Sequence, residues 1–126
     1  MPRVVHFEIH ADDPERAIKF YADLFGWTFQ RFGEFPYWLV TTGPDSEPGI
    51  NGGLMPRSKP NVGDAITAYV CSVNVAEIDK AMEQVPRFGG TITSAKTPIP
   101  GVGWSAYALD TEGNNFGLYQ DDPKAA

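Results

Sequence analysis

The sequence has almost no cysteine and no long hydrophobic run, and both shortages limit what the protein can be. The single cysteine, Cys71, excludes an internal disulfide, and its apolar surroundings predict a buried, inert thiol. No apolar run approaches the ~20 residues that cross a bilayer, and the N-terminus lacks the basic start and apolar segment of a signal peptide. We therefore expect a cytoplasmic, soluble protein with no membrane partner.

Basic residues are also few. Ten Lys and Arg stand against 16 Asp and Glu, which gives a net charge of −6. Because nucleic-acid affinity comes largely from Lys and Arg that neutralise phosphates, we expect no nucleic-acid partner. Two early histidines and one cysteine support no Ser-His-Asp or Cys-His nucleophile arrangement, and the glycine-rich runs lack the spacing of a phosphate-binding loop.

What the chain does contain is an internal repeat. A strand-like run from Val4 to His10 leads through Asp13 and Pro14 into an amphipathic segment, and a second run at 65–73 leads through Asn74 into another. Short strand-like runs follow each segment. The length of 126 residues is that of one domain. The repeat therefore predicts a single α+β domain, residues 1–126, with one βαβββ module at about 4–55, a linker at about 56–63 and a second βαβββ module at about 64–120.

The two helices have different start and stop signals. In the first, Asp13 can cap the N-terminus, Pro14 suits the first helical position and Gly26 is a natural stop. The second is predicted to start with Asn74 as its cap and to end at Pro86. The remaining strands are predicted at 27–32, 37–42, 52–55, 91–97, 103–110 and 115–120.

These segments resemble the vicinal oxygen chelate superfamily, which contains glyoxalase I, the bleomycin-resistance proteins and the extradiol dioxygenases. The most specific element is Phe20-Tyr21 followed by Leu24 to Trp27, which resembles the pattern F-Y-x-x-x-L-G-[MW]. The ending Asp110 to Leu118 resembles D-P-[DE]-G-[NY]-x-x-[EG]-[LF], with Thr111 in the proline position. The resemblance covers almost the whole chain. It implies that each module forms a half-barrel with its helix on the convex side, and that the two concave faces enclose a cavity.

Metal-using members of this superfamily place one ligand on each of four strands, typically two His and one or two Glu. The resemblance leaves only His6 at such a position. The other three positions correspond to Ala68, to Gly117 and to the uncharged stretch 50–53. Because a catalytic divalent ion needs about three His or carboxylate ligands, we expect no metal and no other cofactor.

The candidate site residues lie mainly on the first strand. His6 and Glu8 share the strand face opposite Phe7 and Ile9, and the resemblance places that face inside the cavity. We expect both to bind ligand and, if a reaction occurs, to act as its acid and base; the alternative is that they are hydrogen-bonded structural residues. His10, at the predicted strand end, is expected at the surface. Further ligand-binding candidates are Asn51, Trp104 and Tyr107.

Three functions stay open at this point. The missing metal ligands favour a metal-independent small-molecule-binding protein with an aromatic-lined cavity. The second is a glyoxalase-like lyase or isomerase, or a dioxygenase, that uses a non-standard metal site or acid–base chemistry through His6 and Glu8. The third is a protein that works through its surface or as a dimer.

In each case we expect a homodimer, because superfamily members of this length commonly pair their modules and half-barrel edges would otherwise expose unpaired strand.

Overall fold

The computed structural model describes residues 1–58 and 68–126. Backbone contacts divide the chain into two compact units, which we call the N-terminal module (His6–Tyr69) and the C-terminal module (Val70–Ala126 together with Met1–Val5). The described elements are β1 (Val4–Ala11), α1 (Pro14–Phe25), β2 (Thr28–Arg31), β3 (Trp38–Thr41), β4 (Gly52–Pro56), β5 (Val70–Asn74), α2 (Ile78–Arg87), β6 (Thr91–Ile92), β7 (Thr97–Ile99), β8 (Gly103–Leu109) and β9 (Asn115–Asp121). This repeat of strands around one helix confirms the predicted α+β class. Residues 59–63 of the predicted linker and the predicted start of the second module at 64 lie outside the described residues.

The N-terminal module is a mixed sheet with the strand order β2-β3-β4-β1. Strand β1 runs parallel to β4, and the other two pairings are antiparallel. Because side chains alternate along a strand, one face of this sheet carries Phe7, Ile9 and Leu54, which pack beneath α1. The opposite face, which we call the open face, carries His6 and Glu8.

Helix α1 follows its sequence signals. The Asp13 side chain accepts a hydrogen bond from the Arg16 N–H at 3.2 Å, and Pro14 is the first helical residue. The helix ends at Gly26, which adopts a left-handed conformation with φ of 74° and donates its N–H to the Ala22 carbonyl. The predicted boundaries of this helix are confirmed.

The C-terminal module has the strand order β5-β9-β8-β6, and β7 also pairs with β8. The predicted strand at 91–97 is instead the two short strands β6 and β7, both antiparallel to β8. The buried residues Ile78, Ala106 and Leu118 form the core between α2 and this sheet. The module therefore repeats the arrangement of the first one, with one helix on one sheet face.

The boundaries predicted for α2 are wrong at both ends. Asn74 lies in β5 and accepts a hydrogen bond from the Arg3 N–H, so it does not cap the helix. The first helical N–H, that of Ile78, is instead donated to the Gln120 side chain at 2.8 Å. Pro86 lies inside the last turn, because its missing N–H removes only one hydrogen bond while its carbonyl still accepts from Gly89.

The predicted burial of Cys71 is also wrong. Its free thiol is exposed. Helix α2 packs on β6, β8 and β9, whereas Cys71 lies in β5 outside that contact. Among the described residues, no helix is long and apolar enough to span a membrane.

Candidate functional site

Three side chains meet on the open face of the N-terminal module. The Tyr37 hydroxyl lies 2.8 Å from His6 Nε2 and donates a hydrogen bond to Glu8 Oε2 at 3.0 Å. His6 Nε2 and Glu8 Oε2 are 4.0 Å apart. The tyrosine hydroxyl therefore bridges the imidazole and the carboxylate, and the predicted pair of His6 and Glu8 is joined through a third residue.

Strand pairing explains why these residues come together. Glu8 in β1 is opposite Gly53 in β4, and Gly53 is opposite Leu39 in β3, so all three belong to the open face. Tyr37 directly precedes β3, and its ring reaches over Gly53. A Cβ atom at position 53 would collide with the Tyr37 hydroxyl and the adjacent ring carbon. Only glycine therefore lets the tyrosine lie this close to the strand.

Burial controls the electrostatics of this group. Glu8 is 5% exposed, and the His6 side chain is 32% exposed. Desolvation lowers the pKa of His6 below its usual value, and the nearby Glu8 carboxylate opposes this shift without cancelling it. The imidazole therefore stays neutral to lower pH than a free histidine, beside a carboxylate that accepts from Tyr37.

The C-terminal module shows which residues correspond to this group. The helices begin at Pro14 and Ile78, and the same offset relates Gly53 to Gly117 and Glu8 to Ser72. The pairing agrees, since Ser72 is opposite Gly117 as Glu8 is opposite Gly53.

By this register the counterpart of His6 is Val70, two residues beyond the predicted Ala68. Within the predicted stretch 50–53, the residue that corresponds to Gly117 is Gly53. Val70, Gly53 and Gly117 have no side chain that can ligate a metal. Among the described residues, no group of three or more His, Cys, Asp or Glu side chains is placed to hold a metal ion. The expected absence of a metal stays a prediction.

Asn51 supports a loop. Its side-chain oxygen accepts a hydrogen bond from the Thr42 N–H at 2.9 Å, and the Thr42 hydroxyl donates to the Ile50 carbonyl at 2.7 Å. These contacts connect the two ends of the segment between β3 and β4. Its ligand-binding role stays a prediction.

Trp104 and Tyr107 lie on opposite faces of β8. The Trp104 ring packs against the core beneath α2, its N–H donates to Asp122 at 3.0 Å, and Lys96 lies 4.5 Å from its ring centroid. Tyr107 is opposite Gly117 on the other face, and its N–H donates to the Ser94 hydroxyl. The contacts of Trp104 are those of a packing residue, and a ligand-binding role for either aromatic stays a prediction.

The predicted surface position of His10 is wrong. Strand β1 continues to Ala11, so His10 lies inside the ladder opposite Met55 and is half-buried. Its Nε2 atom is buried without a hydrogen-bond partner among the described residues. The Arg57 guanidinium donates to its carbonyl at 2.8 Å.

Tyr37 is the site residue that the sequence reasoning missed. The available signal was the pair Gly52-Gly53 inside a strand, because interior glycines mark a close approach by another group. The identity of that group follows only from strand pairing, which the sequence pattern does not provide.

Comparisons with known proteins agree with this fold. Residues 3–43 match the family described as bleomycin resistance protein-like N-terminal. A glyoxalase/bleomycin resistance protein/dioxygenase superfamily member from Vibrio splendidus 12B01 is 16% identical, with a TM-score of 0.65 over 96% of this chain and 100% of that chain. Methylmalonyl-CoA epimerase from Mycobacterium tuberculosis is 15% identical, with a TM-score of 0.62 over 95% of this chain and 88% of that chain.

An NAD-dependent benzaldehyde dehydrogenase from Legionella pneumophila is 12% identical, with a TM-score of 0.62 over 93% of this chain and 98% of that chain. At these identities the structural likeness establishes the fold alone. No curated protein has a significant sequence match. The resemblance found in the sequence is nevertheless confirmed: residues 3–43 match a bleomycin-resistance family, and the chain has the fold of the glyoxalase/bleomycin resistance/dioxygenase superfamily.

Proposed function

We propose that this chain is a small-molecule-binding protein that works without a bound metal. The ligand is an organic molecule held on the open face of the N-terminal module, with His6, Tyr37 and Glu8 as the polar end of its site.

The position of the Tyr37 hydroxyl is the observation that carries the proposal. The resemblance implies that metal-using members have a carboxylate on the fourth strand, and the residue there that corresponds to Gly117 of the C-terminal module is Gly53. Here the Tyr37 hydroxyl occupies the space that a side chain at position 53 would need. It is hydrogen-bonded to His6 and Glu8, so the two polar residues of β1 already have a protein partner. This arrangement supports organic-ligand binding over metal binding.

The open face supports a ligand that is at least partly apolar. Leu39 belongs to this face and is 41% exposed beside the polar group. A mixture of apolar surface and a few polar groups is typical of small-molecule sites. A methylmalonyl-CoA epimerase of this fold, 12% identical, was solved in complex with methylmalonyl-CoA, which is consistent with an organic ligand for this chain.

Elemental analysis of dialysed protein tests the metal-free part of the proposal. We expect no stoichiometric metal. About one equivalent of Zn, Ni, Mn or Fe that is retained by the wild type and lost in His6→Ala would overturn it.

A thermal-shift screen of small organic molecules tests the binding part. We expect ligands whose stabilising effect is reduced in Glu8→Gln and kept in the matched variant Glu83→Gln, since Glu83 is exposed on α2. Equal effects of both substitutions on every ligand would place the binding site elsewhere.

A metal-free acid–base enzyme is the second candidate. The observation in its favour is a partly exposed imidazole, whose pKa burial lowers, coupled through Tyr37 to a buried carboxylate. Such an enzyme would exchange a proton of its ligand with solvent, and NMR detection of deuterium incorporation into a bound ligand in heavy water would distinguish it from a binding protein. Lyase, isomerase and dioxygenase chemistry with a non-standard metal site stays the alternative that elemental analysis addresses.

A further inference from the structure

The hydrogen-bond directions in the site determine which form of the His6 ring is present. A tyrosine hydroxyl carries a single proton, and the Tyr37 proton is donated to Glu8 Oε2. The contact of 2.8 Å between Tyr37 Oη and His6 Nε2 must then have the imidazole as its donor. The His6 ring is therefore protonated at Nε2.

The other ring nitrogen is consequently an acceptor. A neutral imidazole carries one N–H, so a ring protonated at Nε2 presents a lone pair at Nδ1. Among the described residues the one hydrogen bond of the His6 side chain is that to Tyr37. Its side chain is 32% exposed, which leaves the ring within reach of a bound molecule. Burial also favours the neutral ring, because it lowers the pKa of His6.

We infer that the ligand of this site donates a hydrogen bond to His6 Nδ1, so that the partly apolar molecule proposed above carries a hydroxyl or N–H group. This inference rests on the proposed function and narrows it to a class of ligand. A molecule with only acceptor atoms at that end would face a lone pair at Nδ1 and lose the contact. Glu8 contributes by fixing the direction of the Tyr37 proton, and it acts on the ligand through Tyr37 and His6.

The ring form can be measured without any ligand. Long-range ¹H–¹⁵N NMR at about pH 8 distinguishes the two neutral forms of histidine, and His10→Gln leaves His6 as the only imidazole in the chain. We expect the Nε2–H form to dominate, and its preference to weaken in Tyr37→Phe. A dominant Nδ1–H form would overturn the inference and leave the proposed function standing.

A pair of shape-matched compounds tests the ligand class. 2-Naphthol carries a hydroxyl donor where 2-methylnaphthalene carries a methyl group, and NMR titration gives both dissociation constants. His6→Gln keeps a donor towards Tyr37 and displaces the acceptor from the Nδ1 position, whereas His6→Asn keeps an acceptor near Nδ1. We expect the preference for 2-naphthol to fall about three- to tenfold in His6→Gln relative to the wild type, and to be largely kept in His6→Asn.

The outcomes separate the two proposals. A preference that is unchanged in His6→Gln overturns the inference alone. No measurable binding of either compound to the wild type overturns the proposed binding of a partly apolar ligand on the open face, and the inference with it. Thermal unfolding of both variants ensures that a lost preference is read only from folded protein.

Discussion

The two modules place different chemistry on the same backbone. In the N-terminal module the residue opposite Gly53 is Glu8, which is 5% exposed and accepts from a tyrosine. In the C-terminal module the residue opposite Gly117 is Ser72, whose hydroxyl oxygen lies 2.5 Å from where a Cβ at 117 would be. Both modules thus keep a glycine at a crowded strand position. The hydrogen-bonded group of imidazole, phenol and carboxylate is built only in the first.

This difference separates what the fold needs from what function adds. Glycine recurs because each sheet requires a close approach by a side chain from the neighbouring strand. The imidazole and the carboxylate do not recur, since Val70 and Ser72 occupy the positions that correspond to His6 and Glu8. A buried carboxylate is costly unless it is hydrogen-bonded, and Tyr37 donates such a bond to Glu8, so these two residues depend on each other in the N-terminal module.

The largest expected effect comes from filling the two glycine positions. Gly53→Ala forces the Tyr37 hydroxyl away and breaks its hydrogen bonds to His6 and Glu8, which should cost about 3 kcal/mol. Gly117→Ala displaces a serine hydroxyl that can rotate, so it should cost about 1 kcal/mol. Denaturant unfolding of both variants measures these costs. Equal costs would mean that the two modules do not differ in the way described.

A double-mutant cycle isolates the contact responsible. Gly53→Ala should cost less in a Tyr37→Ala background than in the wild type, because the colliding ring is gone. If Gly53→Ala costs the same in both backgrounds, its effect comes from backbone conformation and not from the collision with Tyr37.

The second effect comes from removing one hydroxyl in each module. Tyr37→Phe deletes a hydrogen bond to the buried carboxylate of Glu8 and should cost about 2 kcal/mol. The matched variant is Tyr119→Phe, whose hydroxyl donates to Asp121 at 2.7 Å in an exposed contact, and it should cost about 0.5 kcal/mol. Thermal or denaturant unfolding gives both values. A larger cost for Tyr119→Phe than for Tyr37→Phe would contradict the expected difference between the two modules.

Local sequence signals predict this fold where the contacts are local. Helix α1 was predicted correctly because its cap and stop, Asp13 and Gly26, lie beside it in sequence. Helix α2 was not, because Gln120, a residue of β9, satisfies its first N–H. Capping rules consider only neighbours in the chain, so they favoured Asn74, which instead pairs with Arg3.

The candidate site was predictable to the same extent. Alternation along β1 placed His6 and Glu8 on one face, and the structure joins them. Tyr37 was missed because its contact depends on the pairing of β3 with β4. The same limit placed the counterpart of His6 at Ala68 instead of Val70, since the register is defined by strand partners and not by spacing.

The helix caps offer a third test of the comparison. Asp13→Ala removes a local cap and should cost about 1 kcal/mol. Gln120→Ala should cost about the same, because it removes the long-range cap of α2. Glu77→Ala should cost less than about 0.5 kcal/mol, since the Glu77 side chain makes no capping hydrogen bond. Free energies of unfolding for the three variants decide this, and a large effect of Glu77→Ala with none of Gln120→Ala would mean that α2 is capped by a neighbour in the sequence instead of by β9.

The smallest expected effect is a pH dependence confined to the N-terminal module, which holds both histidines of the chain. Burial lowers the pKa of His6 in the folded protein below its usual value of 6.5, so the unfolded chain takes up a proton at higher pH than the folded one. The wild type should therefore lose stability relative to His6→Gln as the pH falls from about 7.5 through 6.5, and the difference should level off once the folded imidazole is also protonated. His10 is present in both proteins, so its titration contributes equally to each curve. Denaturant unfolding from pH 5 to 8 measures the difference, and a wild type that gains stability relative to the variant on acidification would mean that attraction to Glu8 outweighs the desolvation of His6.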